Sequence, residues 1–131
     1  MSRPFHLSIP AGDLDVATSF YQNILGCKLG NKEEGKWVDV DFWGNELTLH
    51  KTHTKLPKER HAVDMGSVSI PHFGVHLDKE VFERIKTNVK TNNIKYFDEP
   101  YVRFKGKEEE QETFFLEDPH GNVIELKTFS K

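Results

Sequence analysis

One order of elements, strand then helix then three strands, can be read twice along this chain, and that repetition restricts its fold more than any other feature. Phe5–Ile9 alternates as a short strand, with His6 and Ser8 on one face and Leu7 and Ile9 on the other. Asp13 or Asp15 can cap a helix whose apolar positions, Val16, Phe20, Ile24 and Leu25, recur at helical spacing, and Gly26 is placed to end it. A weak strand over Cys27–Leu29, a polar turn over 30–36 and a well-alternating strand over Trp37–Phe42 follow. Gly44-Asn45 is a two-residue hairpin signal, leading into a strand over Glu46–His50.

After a polar connector, Lys51–Ser67, with no clear period, the order resumes. The predicted elements are a strand over Ile70–Leu77, a helix capped by Asp78 with Val81, Ile85 and Val89 on its buried stripe, and short strands over Ile94–Phe97, Thr113–Leu116 and Val123–Lys127. Asn92-Asn93 is a plausible helix end, Glu99-Pro100 a break, Tyr101–Phe104 an extended stretch before the charged loop 105–110, and Asp118–Gly121 a turn. His6 and His72 open the two halves 66 positions apart, and Gly44-Asn45 and Gly121-Asn122 precede the closing strands 77 positions apart. Duplicated halves usually pack about a pseudo-twofold axis, which would bring His6, His72 and Glu125 to one cavity.

Glu125 is the odd residue of the last strand. It shares a face with Val123 and points away from Ile124 and Leu126. A carboxylate on a face that also carries apolar residues is costly unless it is paired or bound to a cation, so Glu125 reads as a metal ligand.

The residues then resemble the vicinal oxygen chelate superfamily, the paired βαβββ fold of glyoxalase I, the fosfomycin-resistance proteins and the extradiol dioxygenases. The likeness is carried by Phe5-His6-Leu7 with Gly12-Asp13-Leu14, by 20–26 (FYQNILG), by His72-Phe73-Gly74-Val75 and by 115–125 (FLEDPHGNVIE). A narrower likeness, to small dioxygenase-related or glyoxalase-like members, is carried by Trp37-Val38-Asp39 to Gly44, by the run from Pro71, and by Arg103-Phe104-Lys105-Gly106 with Glu110-Gln111. The resemblance implies an α+β fold of two βαβββ modules, curled into a half-open eight-stranded barrel. It implies a single domain over 1–131, with module 1 over about 1–55, a connector over about 51–68 and module 2 over about 69–131. It also implies one divalent metal ion per site, held at His6, His72 and Glu125. Two imidazoles and a carboxylate suit Fe(II), and also Mn, Ni or Zn.

The expected activity is that of a metal-dependent enzyme acting on a small molecule with vicinal oxygens, extradiol-dioxygenase-related in chemistry. The alternatives are a glyoxalase I-like isomerase or lyase and a non-catalytic drug-binding protein. Counting from the two glycines places Thr48 at the repeat position of Glu125, which leaves the fourth ligand of a glyoxalase without a clear residue. Glu46, in a Glu-Leu-Thr run like that of glyoxalase I, and His50, on the same strand face, are the candidates. His50 and His76 are the candidate acid/base residues, and Arg103 and Gln111 the candidate contacts to an anionic or oxygen-rich substrate. His53, His61 and His120 fall in predicted loops and are expected at the surface.

A formal charge of −3 argues against nucleic acid as a partner. No apolar run of about 18 residues is present, so no membrane helix is expected. The start, Met1-Ser2-Arg3-Pro4, lacks the apolar region of a signal peptide, and the single cysteine, Cys27, suits a reducing cytosol and is expected to be inert. A cytoplasmic homodimer is the expected setting, the dimer on the resemblance alone.

Overall fold

A computed structural model of the chain describes residues 3–63 and 66–130. Met1, Ser2, Asp64, Met65 and Lys131, which fall in the N-terminal segment, the connector and the end of module 2, lie outside the described residues. The chain divides into two compact units, one of Met1–Leu56 with Asp118–Asn122, the other of Pro57–Glu117 with Val123–Lys131.

In the first unit, β1 (His6–Pro10) leads through Asp13 into α1 (Leu14–Ser19). Asp13 Oδ1 accepts hydrogen bonds from the amides of Asp15 and Val16 at 2.9 and 3.1 Å, the expected N-cap. The helix then widens into a π-helical turn over Phe20–Ile24. The buried stripe is Ala17, Phe20, Tyr21, Ile24 and Leu25, an i, i+3, i+4, i+7, i+8 pattern that passes through Ala17 rather than Val16, and it leaves Val16 52% exposed, contrary to the expected stripe. Beyond Gly26 run β2 (Lys28–Glu33), β3 (Trp37–Phe42) and β4 (Asn45–His50), in a sheet of order β1-β4-β3-β2 with β1 and β4 parallel. β2 is longer than predicted and the turn shorter. It is an exposed edge strand whose polar side chains carry no alternation to read. The β3–β4 turn is Trp43-Gly44, both with positive φ, rather than Gly44-Asn45, because Phe42 and Asn45 are already cross-strand partners. Val38, Val40, Phe42, Leu47 and Leu49 form the buried face of the sheet.

The second unit begins with a difference. The connector holds an antiparallel hairpin, β5 (Glu59–Val63) and β6 (Gly66–Ile70). Every residue of β5 is exposed, so no apolar period marks it. Charge tethers it instead: Arg60 makes a bidentate pair with Asp98 at 3.0 and 3.1 Å, and the neighbouring Lys58 pairs with Glu117. After the cis Ile70–Pro71 bond, β7 (His72–His76) starts two residues later than predicted. α2 (Lys79–Thr91) buries Phe82, Ile85 and Val89, with Val81 half-buried beside them. Asp78 is its N-cap residue, although among the described residues its side chain makes no capping bond.

The unit closes with β8 (Asp98–Arg103), β9 (Gln111–Glu117) and β10 (Val123–Phe129), in the order β7-β10-β9-β8 with β7 and β10 parallel. Ile94–Phe97 is not a strand, and β8 runs through Pro100, which an edge strand with a register shift tolerates. Both units therefore carry the βαβββ order and the fold class is α+β, with the β5–β6 hairpin added. Among the described residues no helix is long and apolar enough to cross a membrane.

Candidate metal and substrate site

The strand registers align the internal repeat residue by residue. In the first sheet His6 pairs with Glu46 and Ser8 with Thr48. In the second, His72 pairs with Val123 and Gly74 with Glu125. His6 is thus the counterpart of His72, and Thr48 that of Glu125. The Thr48 hydroxyl donates to Asp39 Oδ1 across the strand at 2.7 Å, so a neutral group bonded to a carboxylate stands where the second half has the carboxylate itself.

The structure brings His72 and Glu125 together. His72 Nε2 lies 3.3 Å from Glu125 Oε1, and His72 Nδ1 lies 2.7 Å from the Ser69 carbonyl oxygen. A carbonyl only accepts, so Nδ1 carries a hydrogen, and Nε2 faces the carboxylate, to which it donates when it too is protonated. Glu125 is 6% exposed, and its other oxygen accepts the Thr113 hydroxyl at 2.7 Å. Burial alone would raise its pKa, but the hydrogen bonds from His72 and Thr113 and the charge of Lys127 outweigh it and hold the carboxyl at about 2. The hydrogen bond to Glu125 in turn raises the pKa of His72 against the opposing effect of burial. An imidazole anchored through Nδ1 with Nε2 turned to an ionised carboxylate is the donor arrangement that divalent cations take.

The same face of the second sheet carries Lys127, His76 and Phe129. Lys127 Nζ lies 3.7 Å from Glu125 Oε1, and His76 stacks on Phe129 with ring centroids 4.7 Å apart. Burial, followed by the charge of Lys127, lowers the pKa of His76, which keeps its imidazole neutral at pH 7. Arg103 and Gln111 are directly opposed on β8 and β9. Gln111 is buried, with Nε2 donating to the Glu109 carbonyl at 3.2 Å, and Arg103 lies over the Phe104 ring at 4.8 Å.

In the first unit His6 Nδ1 pairs with Glu46 Oε1 at 2.7 Å, both half-exposed, and the Ser8 hydroxyl stands 3.4 Å from His6 Nε2. His50 ends β4 exposed. Among the described residues no group of three or more His, Cys, Asp or Glu side chains is assembled in a geometry that could hold a metal ion. His53 and His61 are exposed as expected, but His120 is half-buried, with Nε2 at 2.8 Å from the Thr54 carbonyl oxygen. Its turn is built on Asp118, whose Oδ1 accepts from the amides of His120 and Asn122 and whose Oδ2 accepts from the Tyr21 hydroxyl and the Asn122 amide group. Thr113 and Lys127 escaped the sequence reading. Their signal was the parity of β10, on which Lys127 follows Glu125 on the same face, while Thr113 needed the cross-strand register.

The chain matches the family model of the Glyoxalase/Bleomycin resistance protein/Dioxygenase superfamily over residues 3–126. Among solved structures it is similar to a glyoxalase/bleomycin resistance protein/dioxygenase from Alicyclobacillus acidocaldarius, at 37% identity over 99% of this chain and 93% of that one, with a TM-score of 0.77. It shares its fold with the lactoylglutathione lyase of Agrobacterium tumefaciens, at 24% identity over 98% and 94% of the two chains and a TM-score of 0.69. It shares it also with the fosfomycin resistance protein FosX of Listeria monocytogenes, at 16% identity over 99% and 95% and a TM-score of 0.72. No curated protein matches the chain.

Proposed function

From a chain that belongs to the Glyoxalase/Bleomycin resistance protein/Dioxygenase superfamily, we propose a divalent-metal-dependent enzyme that acts on a small molecule with two adjacent oxygens, extradiol-dioxygenase-related in its chemistry. The observation that carries this reading is the anchored His72–Glu125 pair, whose buried carboxylate stays ionised. His6, the repeat counterpart of His72, is the third ligand, and the ion is Fe(II), or Mn, Ni or Zn. An ion held by these residues would supply Lewis acidity towards two adjacent oxygens.

The chain's own groups supply the rest. Ser69 keeps His72 in one tautomer and one orientation. Neutral His76 accepts a proton from substrate, with His50 as the other candidate for that role. Arg103 and Gln111 hold the polar end of the molecule. The protein works as a cytoplasmic homodimer.

One observation favours a second reading, a glyoxalase I-like isomerase or lyase. Glu46 stands 2.7 Å from His6 and offers the additional carboxylate that such a site uses.

Metal analysis of the purified protein separates these readings. The dioxygenase reading expects about one equivalent of metal per chain, lost in His72→Ala and Glu125→Gln, and oxygen uptake with catechols under Fe(II). Turnover of a hemithioacetal under Ni or Zn, abolished in Glu46→Gln, would establish the isomerase instead. Absence of stoichiometric metal overturns both and leaves sequestration of a small molecule.

A further inference from the structure

We propose that Lys127 selects an anionic substrate: its ammonium binds a carboxylate, so the molecule with vicinal oxygens that is taken also carries a carboxylate group, and a neutral analogue is disfavoured. The proposal rests on the reading of His72 and Glu125 as ligands and names the substrate class for that site.

Lys127 follows Glu125 by two residues on β10 and so faces the same side of the sheet. Its side chain is 22% exposed, and Nζ stands 3.7 Å from Glu125 Oε1, outside hydrogen-bonding distance. Its charge helps keep Glu125 ionised, but the hydrogen bonds to the two Glu125 oxygens come from Thr113 and His72, which leaves the ammonium's own donors to another oxyanion. A partly desolvated ammonium whose nearest carboxylate is satisfied by other donors is suited to a ligand oxyanion.

A second, independent observation lies on the neighbouring strand. Thr113 is the cross-strand partner of Lys127, and Gln111 is the next residue of β9 on that face, about 7 Å further along. Gln111 is 6% exposed, and among the described residues its Oε1 has no hydrogen-bond partner. A buried acceptor left unsatisfied by the protein is open to a hydroxyl or N–H from outside the chain, and a substrate donor fits it. The positions of Lys127 and Gln111 are offset by about 7 Å along the strands, a span of the order of a small organic acid. Phe129, stacked on His76 on the same face, supplies an apolar wall.

The test uses mandelate and its neutral isostere mandelamide as probes, titrated calorimetrically into the full chain, metal-free and loaded with Zn(II). Wild type is expected to prefer mandelate by about tenfold or more, Lys127→Met to lose that preference, and Lys127→Arg to keep it, while mandelamide changes by less than about twofold throughout. An equal affinity of wild type for the two probes, a preference unchanged in Lys127→Met, or no binding of mandelate up to about 10 mM overturns the proposal. Metal content measured on the same samples keeps the two readings apart. A carboxylate preference that depends on Lys127 in a protein without metal sinks the metal reading alone, and stoichiometric metal without the preference sinks the role of Lys127 alone.

Discussion

His72 and Glu125 meet diagonally across parallel strands: the pairing partner of His72 is Val123 and that of Glu125 is Gly74, yet Nε2 and Oε1 stand 3.3 Å apart. The contact couples two titrations. Glu125 is lowered from an ordinary value of 4.5 to about 2, so its stabilising contribution is present above pH 4.5 and is lost as pH falls towards 2. His72 is raised above its ordinary 6.5, so its contribution is complete below pH 6.5 and is lost as pH rises through its folded value. In metal-free protein the stability difference between wild type and Glu125→Gln, measured by urea unfolding, is therefore widest between pH 4.5 and 6.5 and narrows on both sides. A difference that stays constant with pH contradicts the coupling.

Gly74 is required for the approach of β7 to β10. A Cβ there would run into the carbonyl oxygen of Glu125 and come within 2.9 Å of the Glu125 Cβ. Gly74→Ala is expected to cost about 2–3 kcal/mol by overpacking and to lower metal affinity, because the strand that must move carries Glu125. Denaturant unfolding and metal titration check both. A variant within about 0.5 kcal/mol of wild type would show that the strands have room.

Asp118 holds the turn 118–122 through four accepted hydrogen bonds, and Asn122 also donates to the Pro10 carbonyl at 2.7 Å. Tyr21→Phe removes one of the four and is expected to cost about 1 kcal/mol, whereas Asp118→Ala leaves several buried donors unmet and costs about 3 kcal/mol or more. Thermal unfolding measures the order of the two. Because these residues act on the fold, the metal content of the Tyr21→Phe protein is expected to equal that of wild type.

Cys27 is 7% exposed, and burial, followed by the charge of Asp41, pushes its thiol up to about 12. A thiol that far above its ordinary value carries almost no thiolate at neutral or mildly alkaline pH. Reaction with a disulfide reagent at pH 8 is expected only as fast as the protein opens, and promptly in denaturant. Rapid labelling of the folded chain would refute the burial of this sulfur.

The strands with one apolar and one polar face could be read from the chain alone. Trp37–Phe42 occupies the predicted residues, and β4, β7 and β10 differ from prediction only at their ends. The exposed strands could not be read so well. β2 is legible only at its start and β5 not at all, since neither buries a side chain of its own. Val16 misleads because its i+4 spacing to Phe20 fits a helical stripe, while the face that is buried is centred one residue on, at Ala17 and Tyr21.

The amino-acid order by itself determined the repeated βαβββ plan, the parity that puts Glu125 opposite its apolar neighbours, and Thr48 as its counterpart, which the strand registers bear out. These are properties of period and spacing within a segment. Only the tertiary structure decided that Ser69 orients His72, that Thr113 and Lys127 attend Glu125, that Gln111 is buried facing Arg103, and that a charged connector folds into a hairpin. Each of those depends on which residues from distant parts of the chain come to lie side by side, and strand register, a long-range property, sets that pairing.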